Sequence, residues 1–262
     1  LREAAKRILA LEKDESSKAF GKATAVLLEL RISELLRLNE QQQQALLSDV
    51  LTFTSKHGTA NDNARLVYSL ARQLEYANRR SLAAKAYTSA GEIMAKSDDE
   101  ALVKRANKYL GAARRMQLLG NDIQLQGTLV DGSDFNWQDY RGRVVLVDFW
   151  ATWCGPCIAE LPNVRKHYEL YHDRCFEVVG ISLDTDRKRL ETFLEEKEIP
   201  WETLFEDGAG WDHSLATRYG IMGIPSVFLV DREGKVVSLR ARGAELGKLL
   251  DQLIGPADAD KD

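Results

Sequence analysis

Histidine, cysteine and proline are scarce in this 262-residue chain, and long apolar runs are missing. The four histidines and three cysteines show no spacing that would complete a zinc site around the one Cys-x-x-Cys sequence. No apolar stretch approaches the roughly 20 residues that a membrane-spanning helix needs. The basic residues are dispersed, without interleaved aromatics, and the net charge is −4. We therefore predict a globular protein with no metal, no nucleic-acid partner and no membrane span in this chain.

Proline is absent from residues 1–119, and glycine occurs there only four times. The segment is rich in strong helix formers, and its apolar residues recur at helical spacing. We predict six helices, at about residues 2–13, 15–38, 40–56, 62–77, 80–96 and 99–118. Residues 70–90 also resemble a single tetratricopeptide-like repeat, but a stable array normally needs at least three repeats. The prediction is an all-α helical bundle domain over residues 1–119, in which no chemistry is indicated.

The rest of the chain is organised around an apolar run, Val144–Trp150, which is soon followed by Cys154-Gly155-Pro156-Cys157. A β-branched run bounded by turn residues predicts a strand buried on both faces, and the residues after the cysteines favour a helix. A dithiol at a strand-to-helix turn is typical of a redox site, because a helix N-terminus stabilises the thiolate of the first cysteine. The alternatives are half of a zinc site or two unrelated cysteines. The strand–turn–helix context favours redox chemistry.

Strand and helix patterns alternate on both sides of the cysteines. Residues 123–137 predict a short β-hairpin, and a helix is predicted from Cys157 to about His172. Further helices are predicted near 187–197, 212–219 and 244–254, and further strands near 176–183, 203–205, 226–230 and 236–240. These elements predict an α/β domain over residues 120–255. Residues 256–262 are predicted to form a disordered tail.

The stretch VDFWATWCGPC resembles the active-site sequence of thioredoxins almost letter for letter. Together with Glu160, Pro162 and an acid-rich insertion, it resembles the TlpA/ResA-type extracytoplasmic thiol–disulfide oxidoreductases over about residues 122–255. The resemblance implies an α/β thioredoxin-like fold, in which helices flank a central mixed sheet that carries an N-terminal β-hairpin and a central insertion. It also implies a redox-active disulfide, Cys154–Cys157, and no other cofactor.

The resemblance assigns roles to residues in and before the Cys-x-x-Cys sequence. Cys154 would be the nucleophile and Cys157 the resolving thiol. Asp148 matches the aspartate that relays protons for the resolving cysteine, and burial without a cationic partner would raise its pKa. Gly155 and Pro156 form the dipeptide of reducing thioredoxins and would contact substrate. They favour a reductase over an oxidant.

Further roles are implied on either side of this group. Glu160 would lie beside the dithiol and tune its acidity, although a plain surface acid on a helix is the alternative. Pro225 resembles the cis-proline that faces the dithiol, and Ile224 before it would offer its backbone to an extended substrate strand. Trp153 is expected to shield the site and contact substrate. Cys175 is expected to be a small buried hydrophobe, with a regulatory thiol as the alternative.

The predicted function is a thiol–disulfide oxidoreductase, and specifically a reductase of protein disulfides. Its partners would be protein disulfides or dithiols and an unidentified thiol electron donor, in the periplasm or cell envelope. The chain begins at Leu1, so removal of a signal or anchor stays open. A peroxiredoxin-like thiol peroxidase is one alternative, but its Thr-x-x-Cys signature would need threonine where Ala151 stands. The other alternative is a helical adaptor with a non-catalytic thioredoxin-like domain.

Overall fold

The computed structural model describes residues 1–256, and the chain divides into two compact units between Gln117 and Leu118. We call residues 1–117 the helical unit and the chain from Leu118 onwards the C-terminal unit. The division lies two residues before the predicted boundary, because the Leu118 side chain is buried in the core of the C-terminal unit and Leu119 pairs with Val236. Of the predicted tail, residues 257–262 lie outside the described residues.

The helical unit has the six helices that the apolar spacing predicts. They are α1 (Arg2–Leu11), α2 (Lys18–Ser33), α3 (Glu40–Thr54), α4 (Ala60–Tyr76), α5 (Arg80–Ala95) and α6 (Glu100–Met116), with a short 3₁₀ turn at Leu35–Arg37. Side chains that accept backbone hydrogen bonds begin several of them. Asn39, for example, accepts from the Gln42 N–H while the Gln42 side chain accepts from the Asn39 N–H. This reciprocal cap explains why α3 begins at Glu40.

Small residues let the last three helices of this unit approach closely. Ala83, Ala86 and Ala90 are fully buried on α5. A Cβ added at Gly91 would lie 2.8 Å from the side chain of Leu110 on α6. The alanine-rich sequence of α5 is therefore a packing surface, which agrees with the predicted all-α character of this half.

The C-terminal unit is built on a five-stranded mixed sheet. Its strands are β1 (Val144–Trp150), β2 (Phe176–Ser182), β3 (Thr203–Leu204), β4 (Ser226–Val230) and β5 (Val236–Ser238). They lie in the order β3-β2-β1-β4-β5. β1 is parallel to β2 and antiparallel to β4, and β2 is parallel to β3. This is the thioredoxin-like arrangement that the sequence predicts.

Four α-helices accompany the sheet in the described part of this unit, which ends at residue 256. They are α7 (Gly155–Tyr171), α8 (Arg187–Glu196), α9 (Ser214–Arg218) and α10 (Ala244–Ile254). All seven residues of β1 are buried, and residues two apart on it point to the same face. Val144 and Leu146 pack with residues of α7 and α10, whereas Val145 and Val147 pack with residues of α8 and α9. β1 is therefore the buried central strand that its apolar run predicts.

The predicted N-terminal hairpin takes a looser form than two regular strands. Residues 123–137 contain isolated bridges, one between Thr128 and Asp134 and one between Leu129 and Leu204. The Val130 N–H also donates to the carbonyl of Thr203 at 2.9 Å. The segment therefore pairs both with itself, as the predicted hairpin requires, and with the β3 edge of the sheet. None of the helices within residues 1–256 has the length and apolar character needed to cross a membrane.

Candidate active site

Cys154 and Cys157 form a disulfide at the N-terminus of α7, with Cα atoms 5.2 Å apart. Cys154 is the N-cap residue, and its Sγ accepts a hydrogen bond of 3.2 Å from the backbone N–H of Cys157. The two residues are 5% and 3% exposed. After reduction, the N–H group and the positive end of the helix dipole would stabilise a thiolate at Cys154. The geometry thus favours Cys154 as the attacking sulfur.

A buried aspartate holds the loop that leads to the disulfide. Asp184 follows β2 and accepts hydrogen bonds from the N–H of Thr152 at 2.9 Å and from its hydroxyl at 2.6 Å. The hydroxyl of Ser182 donates to the same carboxylate at 2.8 Å. This contact of Asp184 was not predicted from the sequence; the side chain that caps α8 is that of Asp186, two residues later. An acid directly after a buried strand was the signal that could have found it.

Asp148 lies in the middle of the sheet. It occupies β1 opposite Gly180 of β2 and Val227 of β4, and it is 7% exposed. Its Oδ1 has no hydrogen-bond partner among the described residues. Burial raises the pKa of Asp148 to about 7; Arg242 opposes this rise and Glu160 adds to it. A carboxyl group with this pKa can bind or release a proton near neutral pH.

Glu160 links two helices. Its Oε1 accepts from the N–H of Gly243, the residue before α10, at 2.7 Å and from the side-chain amide of Asn163 at 2.8 Å. The Asn163 amide also donates to the Gly243 carbonyl at 3.3 Å. Glu160 is therefore more than a plain surface acid, because it ties α7 to the start of α10. Its influence on the dithiol stays a prediction.

The Ile224–Pro225 peptide bond is cis, as the resemblance implies. Both residues are half-buried and lie directly before β4. Within residues 1–256, neither the N–H nor the carbonyl of Ile224 has a hydrogen-bond partner. These two free backbone groups are what an added extended strand would need.

Trp153, the residue before Cys154, is 46% exposed. Gly155 and Pro156, in the first turn of α7, are exposed as well. All three of these predicted substrate-binding residues can therefore be reached from solvent. Trp211 lies beside Trp153, with ring centroids 6.0 Å apart. Sequence reasoning missed Trp211, because it comes 58 positions after Trp153 in a loop with no motif of its own.

The expectation for Cys175 was wrong. The residue is exposed and has a left-handed backbone conformation with φ of +69° at the end of a 3₁₀ turn. It precedes Phe176, the first residue of β2, which is fully buried. Cys175 therefore belongs to the turn before β2, and it is outside the core that Phe176 enters. Among residues 1–256, no group of three or more metal-ligating side chains could hold a metal ion.

The C-terminal unit is similar in sequence to known proteins. The Redoxin family model matches residues 116–248, just over half of the chain. The thiol-disulfide oxidoreductase ResA of Bacillus cereus (strain ATCC 10987 / NRS 248) is 24% identical over 129 residues, which cover 49% of this chain and 72% of ResA. ResA of Geobacillus thermodenitrificans is 28% identical over 107 residues, 41% of this chain and 59% of that protein.

Solved structures show similar coverage. The thioredoxin domain of a thiol-disulfide oxidoreductase from Bacteroides vulgatus has a TM-score of 0.48 and 28% identity, and covers 52% of this chain and 97% of that domain. A structure described as a putative thiol:disulfide interchange protein DsbE, from Chlorobium tepidum, has a TM-score of 0.44 and 28% identity, over 51% of this chain and 92% of that one. The family match and the ResA relatives confirm the predicted TlpA/ResA-type resemblance. The chain belongs to the Redoxin family.

Proposed function

We propose that the C-terminal unit reduces disulfide bonds of protein substrates through Cys154 and Cys157. The observation that carries this proposal is the disulfide itself, placed at the N-terminus of α7 with Cys154 as the N-cap. A thiolate at this position is stabilised before any substrate arrives. The names of the ResA relatives support the same reaction class.

The reaction transfers two electrons in two exchanges. In the reduced enzyme, the Cys154 thiolate attacks one sulfur of the substrate disulfide, which forms a mixed disulfide and releases the other substrate sulfur as a thiolate that takes up a proton. Cys157 then loses its proton and attacks Sγ of Cys154. This step breaks the mixed disulfide, releases the reduced substrate and regenerates the Cys154–Cys157 disulfide. A separate thiol donor must reduce the enzyme again.

Asp148 supplies the proton chemistry of the second exchange in this proposal. A thiol is a weak nucleophile until it loses its proton, so a base is needed when Cys157 attacks. The pKa of Asp148, raised to about 7 by burial, lets it accept this proton near neutral pH and release it afterwards. Glu160 raises the pKa of Asp148 further, which is the tuning role that we propose for it.

Substrate would bind across the exposed side of the site. The free backbone groups of Ile224, next to Pro225, would pair with an extended segment that holds the substrate disulfide. Trp153, Gly155 and Pro156 would contact the same segment from the side of α7. We place the protein outside the cytoplasm, in the periplasm or cell envelope, on the strength of the TlpA/ResA-type resemblance, and we infer no cofactor besides the disulfide.

Two cysteine variants test the reaction. Cys154→Ser should abolish the reduction of insulin disulfides, whereas Cys157→Ser should accumulate a mixed disulfide with substrate that is visible on a non-reducing gel. Cys175→Ser is the matched control and should behave like the wild type, because the Cys175 thiol is outside the disulfide. Full activity of Cys154→Ser would overturn the assignment of the nucleophile.

The reduction potential of the Cys154–Cys157 pair tests whether the protein reduces its substrates or oxidises them. The Gly-Pro pair between the cysteines leads us to expect a potential nearer roughly −270 mV than −120 mV. Equilibration with glutathione or dithiothreitol, followed by thiol labelling, measures it. A value above the range of the glutaredoxins would instead assign the protein to oxidation or isomerisation of disulfides.

A further inference from the structure

Two exposed tryptophans lie side by side next to the disulfide. Trp153 is 46% exposed and Trp211 is 38% exposed, and their rings are inclined at 52° with centroids 6.0 Å apart. Two other tryptophans of this unit, Trp150 and Trp201, are buried. An exposed tryptophan leaves a large apolar surface in contact with water, and that surface is available for binding. We call Trp153 and Trp211 the tryptophan pair.

The backbone under Trp211 is well held. The residue lies in a 3₁₀ turn, Gly210–Asp212, closed by hydrogen bonds from Asp212 N–H to the Ala209 carbonyl and from His213 N–H to the Gly210 carbonyl. Gly210 has φ of +52°, and a Cβ there would lie 2.9 Å from Cγ2 of Thr185. The turn therefore needs glycine at this position. The exposure of Trp211 follows from a defined turn.

The loop under Trp153 is held as firmly. Thr152, the preceding residue, donates its N–H and its hydroxyl to the buried carboxylate of Asp184. Cys154, the following residue, begins α7 and has the reacting sulfur. Trp153 is therefore an exposed residue directly next in sequence to the cysteine that a substrate joins. The tryptophan pair is thus continuous with the surface on which the exchange takes place.

We infer that the tryptophan pair binds a large apolar side chain next to the reacting cysteine of an extended protein segment, and that Trp211 is a specificity-determining residue. The inference rests on the proposed function and names its substrate class. Tryptophan is enriched among the residues that contribute most to binding. The substrate segment would be neutral or basic, because residues 118–262 have 26 Asp and Glu against 16 Lys and Arg.

The test uses the full chain and two synthetic peptides. Each peptide holds one cysteine joined through a disulfide to thionitrobenzoate, whose release is followed by absorbance. One peptide has leucine on both sides of the cysteine, and the other has serine. We expect the reduced wild-type protein to prefer the leucine peptide in kcat/KM. Trp211→Ala should lower this preference about tenfold, mainly through KM, which corresponds to about 1.4 kcal/mol.

Two further variants make the result specific. Trp211→Phe keeps an aromatic face and should retain most of the preference. Leu170→Ala removes another exposed apolar side chain, near the far end of α7, and should leave the preference unchanged. Matching circular dichroism spectra and melting temperatures establish that the variants are folded.

Three outcomes would overturn the inference. An equal loss on both peptides with Trp211→Ala would mean that Trp211 only supports Trp153. An unchanged preference would mean that Trp211 does not contact substrate. A wild-type dimer that Trp211→Ala converts to a monomer would make the pair a contact between copies of this chain. If the wild type instead reduces neither peptide, the proposed function fails first, and this inference fails with it.

Discussion

In the helical unit, the half-buried carboxylate of Glu75 is bonded on both oxygens. Tyr87 donates its hydroxyl at 2.6 Å, and Arg115 donates at 2.9 and 3.3 Å. In the C-terminal unit, Asp148 is buried with Oδ1 unpartnered among the described residues. Glu75 therefore joins α4, α5 and α6, whereas Asp148 lies among apolar residues of the sheet and makes no such link.

This contrast separates an acid with structural partners from the acid for which we propose a functional role. Removing a half-buried acidic side chain that has hydrogen-bond partners lowers stability, because those partners lose their hydrogen bonds. A buried acid without partners costs stability when it is charged, and such residues are concentrated at functional sites. Burial, with Glu75 beside it, raises the pKa of Tyr87, and the protonated hydroxyl donates to Glu75. The helical unit thus has a fixed network, and the C-terminal unit has a group that can titrate.

The largest expected effect comes from separating the units. Residues 118–262 expressed alone should fold and reduce a small disulfide within about tenfold of the full chain, because domains of this size normally fold alone. Residues 1–117 alone should have no such activity, since both cysteines of the disulfide lie in the other fragment. A C-terminal fragment that is unfolded or loses more than tenfold would show that the helical unit belongs to the active domain.

The exact start of the fragment sharpens this test. Leu118 is 6% exposed within the core of the C-terminal unit, and Gly120 donates its N–H to the Val236 carbonyl at 2.8 Å. A fragment that starts at Gly120 lacks Leu118 and should be less stable by about 2 kcal/mol, the usual cost of removing a buried leucine side chain. Equal urea midpoints for the two fragments would contradict this placement of the boundary.

The second prediction concerns Asp148→Asn. The variant cannot accept a proton, so turnover near pH 7 should fall by about a hundredfold or more, measured with a protein disulfide. Cys154 alkylation by iodoacetamide should change far less, because the first sulfur relies on the helix N-terminus. Equal losses in both assays would mean that the substitution disturbs the whole site.

The pH dependence of stability gives the same residue a second test. The pKa of Asp148 is raised from 3.8 to about 7 in the folded protein. The folded state therefore holds a proton that the unfolded state releases, and stability falls as pH rises between about 4 and 7. Between pH 5 and 7 the loss should be about 3 kcal/mol, at about 1.4 kcal/mol per pH unit. Oxidised Asp148→Asn should lack this component in urea unfolding, and an unchanged slope would contradict a raised pKa.

The third prediction concerns the other acid. Glu75→Ala leaves Arg115, whose side chain is 14% exposed, without its carboxylate, and should destabilise the helical unit by about 3 kcal/mol. Reduction of a small disulfide should be unaffected. Glu92→Ala, an exposed acid on α5, is the matched control and should change stability by about 0.5 kcal/mol or less. Lost activity with Glu75→Ala would remove the distinction between the two acids.

Much of the fold could be predicted from local patterns. The apolar spacing located all six helices of the first unit, and the buried run located β1, because each pattern depends on neighbours a few residues apart. The contacts that shape the site are long-range. Thr152 bonds Asp184 across 32 positions, and Glu160 bonds Gly243 across 83. Local periodicity has no information about such pairs.

The wrong expectation for Cys175 has the same origin. Cys175 was assigned to the core by its residue type, but the turn before β2 decides its exposure. The hairpin at 123–137 is present as isolated bridges, and its second contact, with the edge of β3, is again long-range. The cis bond at Pro225 was assigned by resemblance, and it is confirmed. Local physics alone would have favoured trans there.

The smallest expected effect concerns the two charges that act on Asp148. Arg242 lowers its pKa and Glu160 raises it, and both effects are smaller than that of burial. Arg242→Met should therefore raise the pKa of Asp148 and Glu160→Gln should lower it, with the larger change from Arg242. Glutamine can still accept from Gly243 and Asn163, so the link between α7 and α10 should survive. Carbon-13 NMR of the Asp148 carboxyl measures both shifts.

Lys248→Met is the control for these two variants. It removes another positive charge, from the exposed side of α10, and should leave the pKa of Asp148 unchanged. Shifts in the same direction for Arg242→Met and Glu160→Gln would show that the substitutions change burial and not charge, and Glu160 would then lose its tuning role.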